Sequence, residues 1–327
     1  MNNPQQAERV RLGKTDVQVS LMGVGTWAWG DWIMWGYGRG GYTDDDLHLA
    51  YQRTLASGIN FFDTAEVYGF PSHRSEKLLG QFLQADSRQN AAPPVIATKF
   101  FPWPGRFTRG QLLRALRGSL KRLGLPRVDL YQIHVPSPLV PVERWAEALA
   151  GAVEAGLARS VGVSNYSVDE MRRAHEVLAR HNIPLASNQV EYSLLKRDPE
   201  HNGLLAACRD LGITLIAYSP LTMGLLTGKY SPDHMPGGPR ASKYGAQFIG
   251  AIQPLIGRLR EFGLAHGDKT PSQVALNWTL CKGTLPIPGA KNVRQVDENA
   301  GALGWRLSDD EVSQLDAAAD AVPFAGR

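Results

Sequence analysis

The feature that most limits the fold of this chain is a series of eight short apolar segments, each followed by sequence with helical periodicity. The segments are predicted strands covering residues 19–25, 59–65, 95–100, 128–135, 160–165, 186–192, 214–220 and 284–290. Their apolar character is nearly continuous rather than alternating, which is typical of parallel strands covered on both faces. Eight strand–helix units of this kind predict an α/β protein, a (β/α)8 TIM barrel.

Start signals for the intervening helices support this prediction. Four reciprocal capping boxes pair Thr108 with Gln111, Ser167 with Glu170, Thr270 with Gln273, and Ser308 with Glu311. The long interval between the last two strands predicts an insertion with a flexible loop at 229–245. Residues 10–20 predict an N-terminal β-hairpin that closes the bottom of the barrel, and the last twenty residues predict an extra outer helix.

No linker-like segment divides the chain, so residues 1–327 are predicted to form a single domain. A doubly wound open sheet is the alternative architecture. That fold usually carries a glycine-rich turn after its first strand. The segment "GVGTWAWG" lacks the third glycine at the required spacing, so the barrel is favoured.

Charge and hydropathy exclude several function classes. The net charge is +4 and the basic residues are spread along the chain, which does not favour a nucleic-acid partner. No apolar run approaches the roughly 18 residues of a membrane span, and the polar start lacks a signal-peptide core. We therefore expect a cytoplasmic protein, or a plastid or other organellar one if a transit peptide has been removed. Cys208 and Cys281 form neither a disulfide framework nor a metal spacing.

Polar groups collect at the predicted carboxyl ends of the strands, where TIM barrels place their active sites. In chain order they are Gly25, Thr26, Trp27, Asp63, Tyr68, Lys99, His134, Ser164, Asn165, Gln189, Glu191, Tyr218, Ser219, Gly289 and Lys291. Each residue alone has an ordinary structural explanation. Together they predict a ring of hydrogen-bonding groups around one mouth.

Four of these residue types suit one chemical task. A lysine inside a barrel mouth needs a carboxylate, and Asp63 is the natural partner of Lys99. A nearby ammonium is expected to lower the pKa of Tyr68, and His134 can bind a substrate oxygen. The set can hold a carbonyl oxygen and protonate it while a nicotinamide cofactor delivers hydride to the carbon.

An ordered series of motifs resembles the aldo-keto reductase family along nearly the whole chain, especially its bacterial and plant-plastid branches. The motifs are "GINFFDTAEVYG", "VDLYQIHVPSP", "VGVSNYS", "SNQVEYSLL", "AYSPLTMGLLTGKY" and "IPGAKNVRQVDENAGAL". The resemblance implies NADPH-dependent reduction of aldehydes or ketones to alcohols. It implies that Tyr68 donates the proton, Lys99 lowers its pKa, Asp63 holds Lys99 and His134 orients the carbonyl.

The resemblance also implies an NADP(H) site. Ser164, Asn165 and Gln189 would hold the carboxamide, with Tyr218 stacked on the ring. The other implied cofactor-binding residues are Gly25, Thr26, Trp27 and Gly289 at strand ends, Ser219, Leu221, Gly224, Leu226, Lys229 and Arg240 along the pyrophosphate, Lys291 at the 2′-phosphate, and Gln295, Glu298 and Asn299 around the adenosine. The Lys291 ammonium favours NADPH over NADH, because a phosphate needs a counter-charge.

Aromatic residues on the loops after the first and third strands predict a flat, apolar substrate wall. The predicted substrate-binding residues are Trp29, Trp32, Phe101 and Trp103. They indicate an aromatic or extended small-molecule carbonyl compound. The sequence leaves the oligomeric state open.

Two other functions remain in competition. Lys99 could form a Schiff base with a carbonyl, as in an aldolase-type lyase. The chain could also be a non-catalytic NADP-binding subunit, since potassium-channel β subunits resemble the same family. Borohydride trapping of a substrate adduct on Lys99 would support the lyase, and tight cofactor binding with negligible turnover of an aldehyde would favour the non-catalytic subunit.

Overall fold

A barrel of eight parallel strands forms the centre of the protein in the computed structural model, which describes residues 8–39, 41–86, 93–237 and 244–323. It follows a hairpin of β1 (Arg9–Arg11) and β2 (Gln18–Ser20). The barrel strands are β3 (Gly23–Gly25), β4 (Phe61–Asp63), β5 (Val95–Phe100), β6 (Val128–Ile133), β7 (Ala158–Ser164), β8 (Leu185–Glu191), β9 (Thr214–Tyr218) and β10 (Leu285–Pro286). Gly25 pairs with Gly289, which brings the first strand beside the last. The predicted TIM barrel is confirmed, and the open-sheet alternative is wrong.

Helices cover the outside of the barrel. They are α1 (Asp44–Ala56), α2 (Arg74–Asp86), α3 (Arg109–Leu123), α4 (Val142–Glu154), α5 (Val168–Arg180), α6 (Asp198–His201), α7 (Leu204–Leu211), α8 (Ala246–Ala251), α9 (Gln253–Ala265), α10 (Pro271–Cys281), α11 (Val293–Ala300) and α12 (Asp309–Asp320). All four predicted capping boxes are present. The last helix is the predicted outer one.

The N-terminal hairpin closes the bottom of the barrel, as predicted. Leu12, Val17 and Val19 are fully buried and pack in one cluster with inward-facing strand residues such as Phe61 and Leu130. Gly13 has a φ of +58°, and a Cβ there would lie 2.5 Å from the Ala186 carbonyl oxygen. Only glycine fits at this close approach of two backbones.

Only β5 has the predicted bounds, and two of the predicted strands differ most from the structure. The segment 19–25 contains the end of β2 and all of β3, because the chain passes from the hairpin into the barrel at residues 21–22. Only Leu285–Pro286 is a strand within the segment 284–290. The insertion before it contains a 3₁₀ turn, Thr222–Thr227, and helices α8, α9 and α10. Residues 238–243 of the predicted loop lie outside the described residues.

Neither a bilayer-spanning helix nor a metal-binding cluster occurs within the described ranges of the chain. Both cysteines are free thiols, with Cys208 buried and Cys281 partly buried.

Candidate active site

Four predicted catalytic side chains meet at the carboxyl ends of β4, β5 and β6. Lys99, fully buried on β5, donates from its Nζ to Asp63 Oδ1 and to the Thr64 carbonyl at 2.9 Å. The same Nζ lies 3.3 Å from the Tyr68 hydroxyl oxygen. The Tyr68 and His134 rings stand edge to face, with centroids 5.7 Å apart. The structure therefore brings the phenol, ammonium, carboxylate and imidazole together.

The second oxygen of Asp63 is held by two buried amides. Gln189 Nε2 donates to Oδ2 at 2.8 Å, and Gln132 Nε2 donates at 3.3 Å. Ser187 Oγ in turn donates to Gln132 Oε1 at 3.3 Å. The carboxylate is thus fixed from both sides, which a buried charge requires.

Burial and the neighbouring charges determine the protonation states of Lys99 and Tyr68. Desolvation lowers the pKa of Lys99, but Asp63 and Tyr68 together outweigh it and leave that pKa raised, so the ammonium stays charged. Burial raises the pKa of Tyr68, and the attraction of Lys99 opposes this rise without cancelling it. The expected fall of the Tyr68 pKa is therefore wrong. The phenol stays protonated, which is the form that a proton donor needs.

His134 is neutral over the physiological range. Burial, helped by the charge of Lys99, lowers its pKa to about 3. Its Nδ1 is buried without a hydrogen-bond partner among the residues that the structure describes. A neutral imidazole can bind a polar oxygen but supplies no positive charge to it.

The usual pKa of histidine is about 6.5. If the site reduces a carbonyl compound, we therefore expect no inflection near pH 6.5 on the acidic side of the pH profile of kcat/KM for that reaction. Folded His134 takes up a proton only near pH 3, whereas the same residue in the unfolded chain takes one up at about pH 6.5. Because the unfolded chain binds more protons between these two values, the free energy of unfolding should fall as the pH decreases below about 6.5. The measurement is kcat/KM between about pH 5 and 8, with His134→Asn as control. An inflection near pH 6.5 that disappears in His134→Asn would contradict the expectation.

A cavity of about 450 Å³ extends across the mouth of the barrel from the tetrad formed by Asp63, Tyr68, Lys99 and His134. Most of the predicted site residues line this cavity. They are Gly25, Trp27, Asp63, Tyr68, His134, Ser164, Asn165, Gln189, Tyr218, Ser219, Leu221, Gly224, Lys229, Gly289, Lys291, Gln295, Glu298 and Asn299. A volume of this size lies within the range of cofactor and ligand sites.

Asn165 ties several strand ends together beside the tetrad. It has a φ of +62°, a left-handed conformation that asparagine tolerates better than most residues. Its Nδ2 donates to the His134 carbonyl at 3.1 Å and to Ser164 Oγ at 3.0 Å. Tyr218 donates from its hydroxyl to Asn165 Oδ1 at 3.1 Å. These polar groups form a rigid shelf on the β7–β9 side of the cavity.

The loop after β10 supplies an ammonium group to the cavity. Lys291 Nζ lies 4.9 Å from the Tyr42 ring centroid and 5.5 Å from that of Trp35. The backbone N–H of Lys291 donates to Gln295 Oε1 at 2.9 Å, and Asn299 Nδ2 donates to the Gly289 carbonyl at 3.3 Å. The loop is therefore held by residues near both ends of α11.

Comparison with known proteins identifies the family. A model of the aldo/keto reductase family matches residues 21–320. The chain belongs to the aldo/keto reductase family. It is therefore an oxidoreductase that acts on carbonyl and alcohol groups.

Individual relatives of this aldo/keto reductase cover most of its length. A chloroplastic pyridoxal reductase of Arabidopsis thaliana is 43% identical over 97% of this chain and 87% of its own. The NADP(+) aldo-keto reductase yakc of Schizosaccharomyces pombe is 35% identical over 82% of this chain and 81% of its own. A crystal structure of a thermostable aldo-keto reductase superposes with a TM-score of 0.74 at 31% identity, covering 95% and 99% of the two chains.

Several predicted site residues of this aldo/keto reductase do not reach the cavity. Trp29 is fully buried, packs on Phe62 and donates from Nε1 to the Ala290 carbonyl at 2.9 Å, so the structure does not bring it to the cavity wall. Thr26 and Leu226 are also fully buried, and the structure does not bring either of these two predicted cofactor residues to the cavity lining. Arg240 lies outside the described residues.

The remaining predicted aromatics, Trp32, Phe101 and Trp103, are not among the residues that line the cavity. Trp32 is half-exposed beneath Arg39, whose guanidinium carbon lies 4.4 Å from the ring centroid. Phe101 stands edge-on to His134 with ring centroids 5.5 Å apart, and Trp103 lies 4.4 Å from Phe101. Phe101 therefore lies against the His134 imidazole with Trp103 packed on it, whereas Trp32 packs against Arg39.

Sequence reasoning did not assign part of the lining. The unassigned residues are Ala28, Trp35, Val135, Pro220, Met223, Thr227, Ser272, Ile287 and Pro288. Trp35 lies on the same aromatic loop as the predicted residues Trp27, Trp29 and Trp32. Its place on that loop is the signal by which the sequence could have assigned it to the site. Ser272 lies in the first turn of α10, and no local motif marks it as a cavity residue.

Proposed function

We propose that this protein reduces an aldehyde or ketone with NADPH, with Tyr68 donating the proton to the carbonyl oxygen. The observation that carries the proposal is the convergence of Tyr68, Lys99, Asp63 and His134 at one end of an open cavity. A protonated phenol beside an ammonium can protonate an oxygen on which negative charge develops.

The cavity residues fit a nicotinamide dinucleotide. Amide groups of Asn165 and Gln189 lie beside the tetrad, and ammonium groups of Lys229 and Lys291 are among the lining residues. When bound, such a cofactor supplies hydride to the carbonyl carbon. The two ammonium groups support NADPH over NADH, because they can balance an additional phosphate.

The side chains divide the work on the carbonyl group. The Tyr68 hydroxyl and the neutral His134 imidazole bind the carbonyl oxygen, and Tyr68 releases its proton to that oxygen. Lys99, held charged by Asp63, stabilises the phenolate that remains. Gln132 and Gln189 keep Asp63 in place and thereby fix the whole tetrad.

We propose an aromatic aldehyde of the pyridoxal kind as the first substrate to examine. The exposed and half-buried rings beside His134 favour a flat partner, and a relative of 43% identity is a pyridoxal reductase. The test follows the loss of NADPH absorbance with pyridoxal and with 4-nitrobenzaldehyde. Tight NADPH binding without turnover of either compound would favour the non-catalytic subunit instead.

The Schiff-base alternative is not supported by the state of Lys99. A nucleophilic amine has to be neutral, whereas Asp63 and Tyr68 keep this one charged. Borohydride treatment with the aldehyde is therefore expected to leave Lys99 unmodified. A covalent adduct on Lys99, detected by mass spectrometry, would revive the lyase interpretation.

Lys291→Ala is expected to weaken NADPH binding by about tenfold and NADH binding by less than about twofold. The reason is that an ammonium–phosphate contact is lost only with the phosphorylated cofactor. Fluorescence titration of both cofactors measures the difference. Lys121→Ala, on the exposed side of α3, is the matched control. An equal loss of affinity for NADPH and NADH would contradict the proposed contact between Lys291 and the additional phosphate.

A further inference from the structure

One buried acid between the catalytic Asp63 and Tyr68 has no part in the proton transfer. Glu66 is 4% exposed, and its Oε1 accepts a hydrogen bond from the Phe101 N–H at 2.7 Å. The same oxygen accepts from the guanidinium of Arg106. Glutamate is seldom buried without such partners, so its position here calls for a role.

Arg106 completes a clamp on the Phe101 backbone. Its Nη1 donates to the Phe101 carbonyl at 3.0 Å, while Glu66 accepts from the N–H of the same residue. The Arg106 guanidinium carbon also lies 5.0 Å from the Phe100 ring centroid. Both polar groups of one loop residue are therefore fixed by a single ion pair that is largely shielded from water.

The clamp fixes a row of rings beside the catalytic imidazole. The Phe101 ring stands against His134, and Trp103 packs on Phe101. Phe70, 58% exposed, continues the row with a centroid 6.2 Å from Trp103. Exposed rings next to an apolar cavity can bind another ring by stacking or edge contact.

We infer that Glu66 and Arg106 are positioning residues that hold Phe101 and Trp103 as a subsite for the aromatic ring of the carbonyl substrate. The inference rests on the proposed reductase function and specifies its substrate class as aryl aldehydes. Binding of the ring depends on the clamp, whereas the carbonyl chemistry depends on the tetrad. A small aliphatic aldehyde should therefore be indifferent to the clamp.

The experiment compares 4-nitrobenzaldehyde with propanal in Glu66→Ala, Glu66→Gln and Arg106→Ala. Glu66→Ala and Arg106→Ala are expected to raise KM for the aryl aldehyde about tenfold, with kcat and the KM for propanal changed less than about twofold. Glu66→Gln keeps an acceptor for the Phe101 N–H and should recover most of the loss. Glu143→Ala, which breaks the exposed pair with Arg173, is the matched control.

A double-mutant cycle tests whether the clamp acts through Phe101. Phe101→Ala is expected to raise KM for the aryl aldehyde about tenfold, and Glu66→Ala in that background should add less than about twofold. Additive losses would overturn the inference. So would equal changes for the two aldehydes, or no change for either. If Glu66→Ala does not fold, Arg106→Ala, alone and in the Phe101→Ala background, provides the same comparison.

A binding measurement separates this inference from the proposed function. Calorimetric titration of 4-nitrobenzaldehyde in the presence of NADP+, where no hydride is available, should show about tenfold weaker binding to Glu66→Ala than to the wild type. A wild type that binds the aryl aldehyde but does not reduce it would remove the proposed function and support the subsite. Equal affinities of wild type and Glu66→Ala would overturn the subsite whatever the rate of reduction.

Discussion

Tyr68→Phe is expected to lower kcat for aldehyde reduction by about a thousandfold, because the variant keeps the aromatic ring and loses only the proton donor. NADPH affinity should stay within about twofold of the wild type. The remaining Lys99, Asp63 and His134 keep their places, since the Tyr68 hydroxyl is only one of three partners of the Lys99 ammonium. Steady-state kinetics and a fluorescence titration of the cofactor measure the two quantities.

The matched control for this variant is Tyr131→Phe. Tyr131 is fully buried, and its hydroxyl lies 3.5 Å from the Leu112 carbonyl of α3, away from the cavity. This substitution should leave kcat unchanged. A Tyr68→Phe variant that reduces aldehydes at the wild-type rate would rule out Tyr68 as the proton donor, and with it the proposed mechanism.

Lys99→Met is expected to reduce kcat by about a hundredfold or more and to lower the free energy of unfolding by about 3–5 kcal/mol. Without the ammonium, burial and Asp63 both raise the pKa of Tyr68, so the phenol becomes a weaker acid. Asp63 at the same time becomes a buried carboxylate without a counter-charge. The measurements are kcat as a function of pH and urea unfolding.

The control for Lys99→Met removes both charges. Asp63→Asn combined with Lys99→Met should regain much of the lost stability, since no unpaired charge is left in the core. It should remain inactive, because the Tyr68 phenolate has lost its stabilising neighbour. A double variant as unstable as Lys99→Met would mean that packing at Lys99, rather than its charge, determines the stability.

Local patterns predicted the barrel well, because their physical causes lie within a few residues. The capping boxes at Thr108 and Ser167 need only the residue three positions later, and both helices begin there. The continuous apolar character of 95–100 matched the bounds of β5. The tetrad could be assembled from the strand ends, because the parallel topology places those ends on one side.

Distant contacts set the limits of that prediction. The place of Trp29 on the aromatic loop after the first predicted strand suggests the substrate wall, yet its Nε1 binds the Ala290 carbonyl, 261 residues away. The direction of the Tyr68 pKa shift depends on how closely several strand ends enclose the phenol, which no local pattern records. The division of 19–25 depends on Ser20, whose N–H bonds to Asn60 Oδ1 at 2.8 Å.

The hairpin under the barrel has a consequence for the biosynthesis of the protein. Leu12, Val17 and Val19 leave the ribosome early, but the cluster that receives them includes Leu285 and Ile287. Most of the polypeptide must therefore be translated before the N-terminal hairpin can complete its packing against the bottom of the barrel. During that time its three apolar side chains are available to chaperones and to aggregation, and the last step of assembly is post-translational.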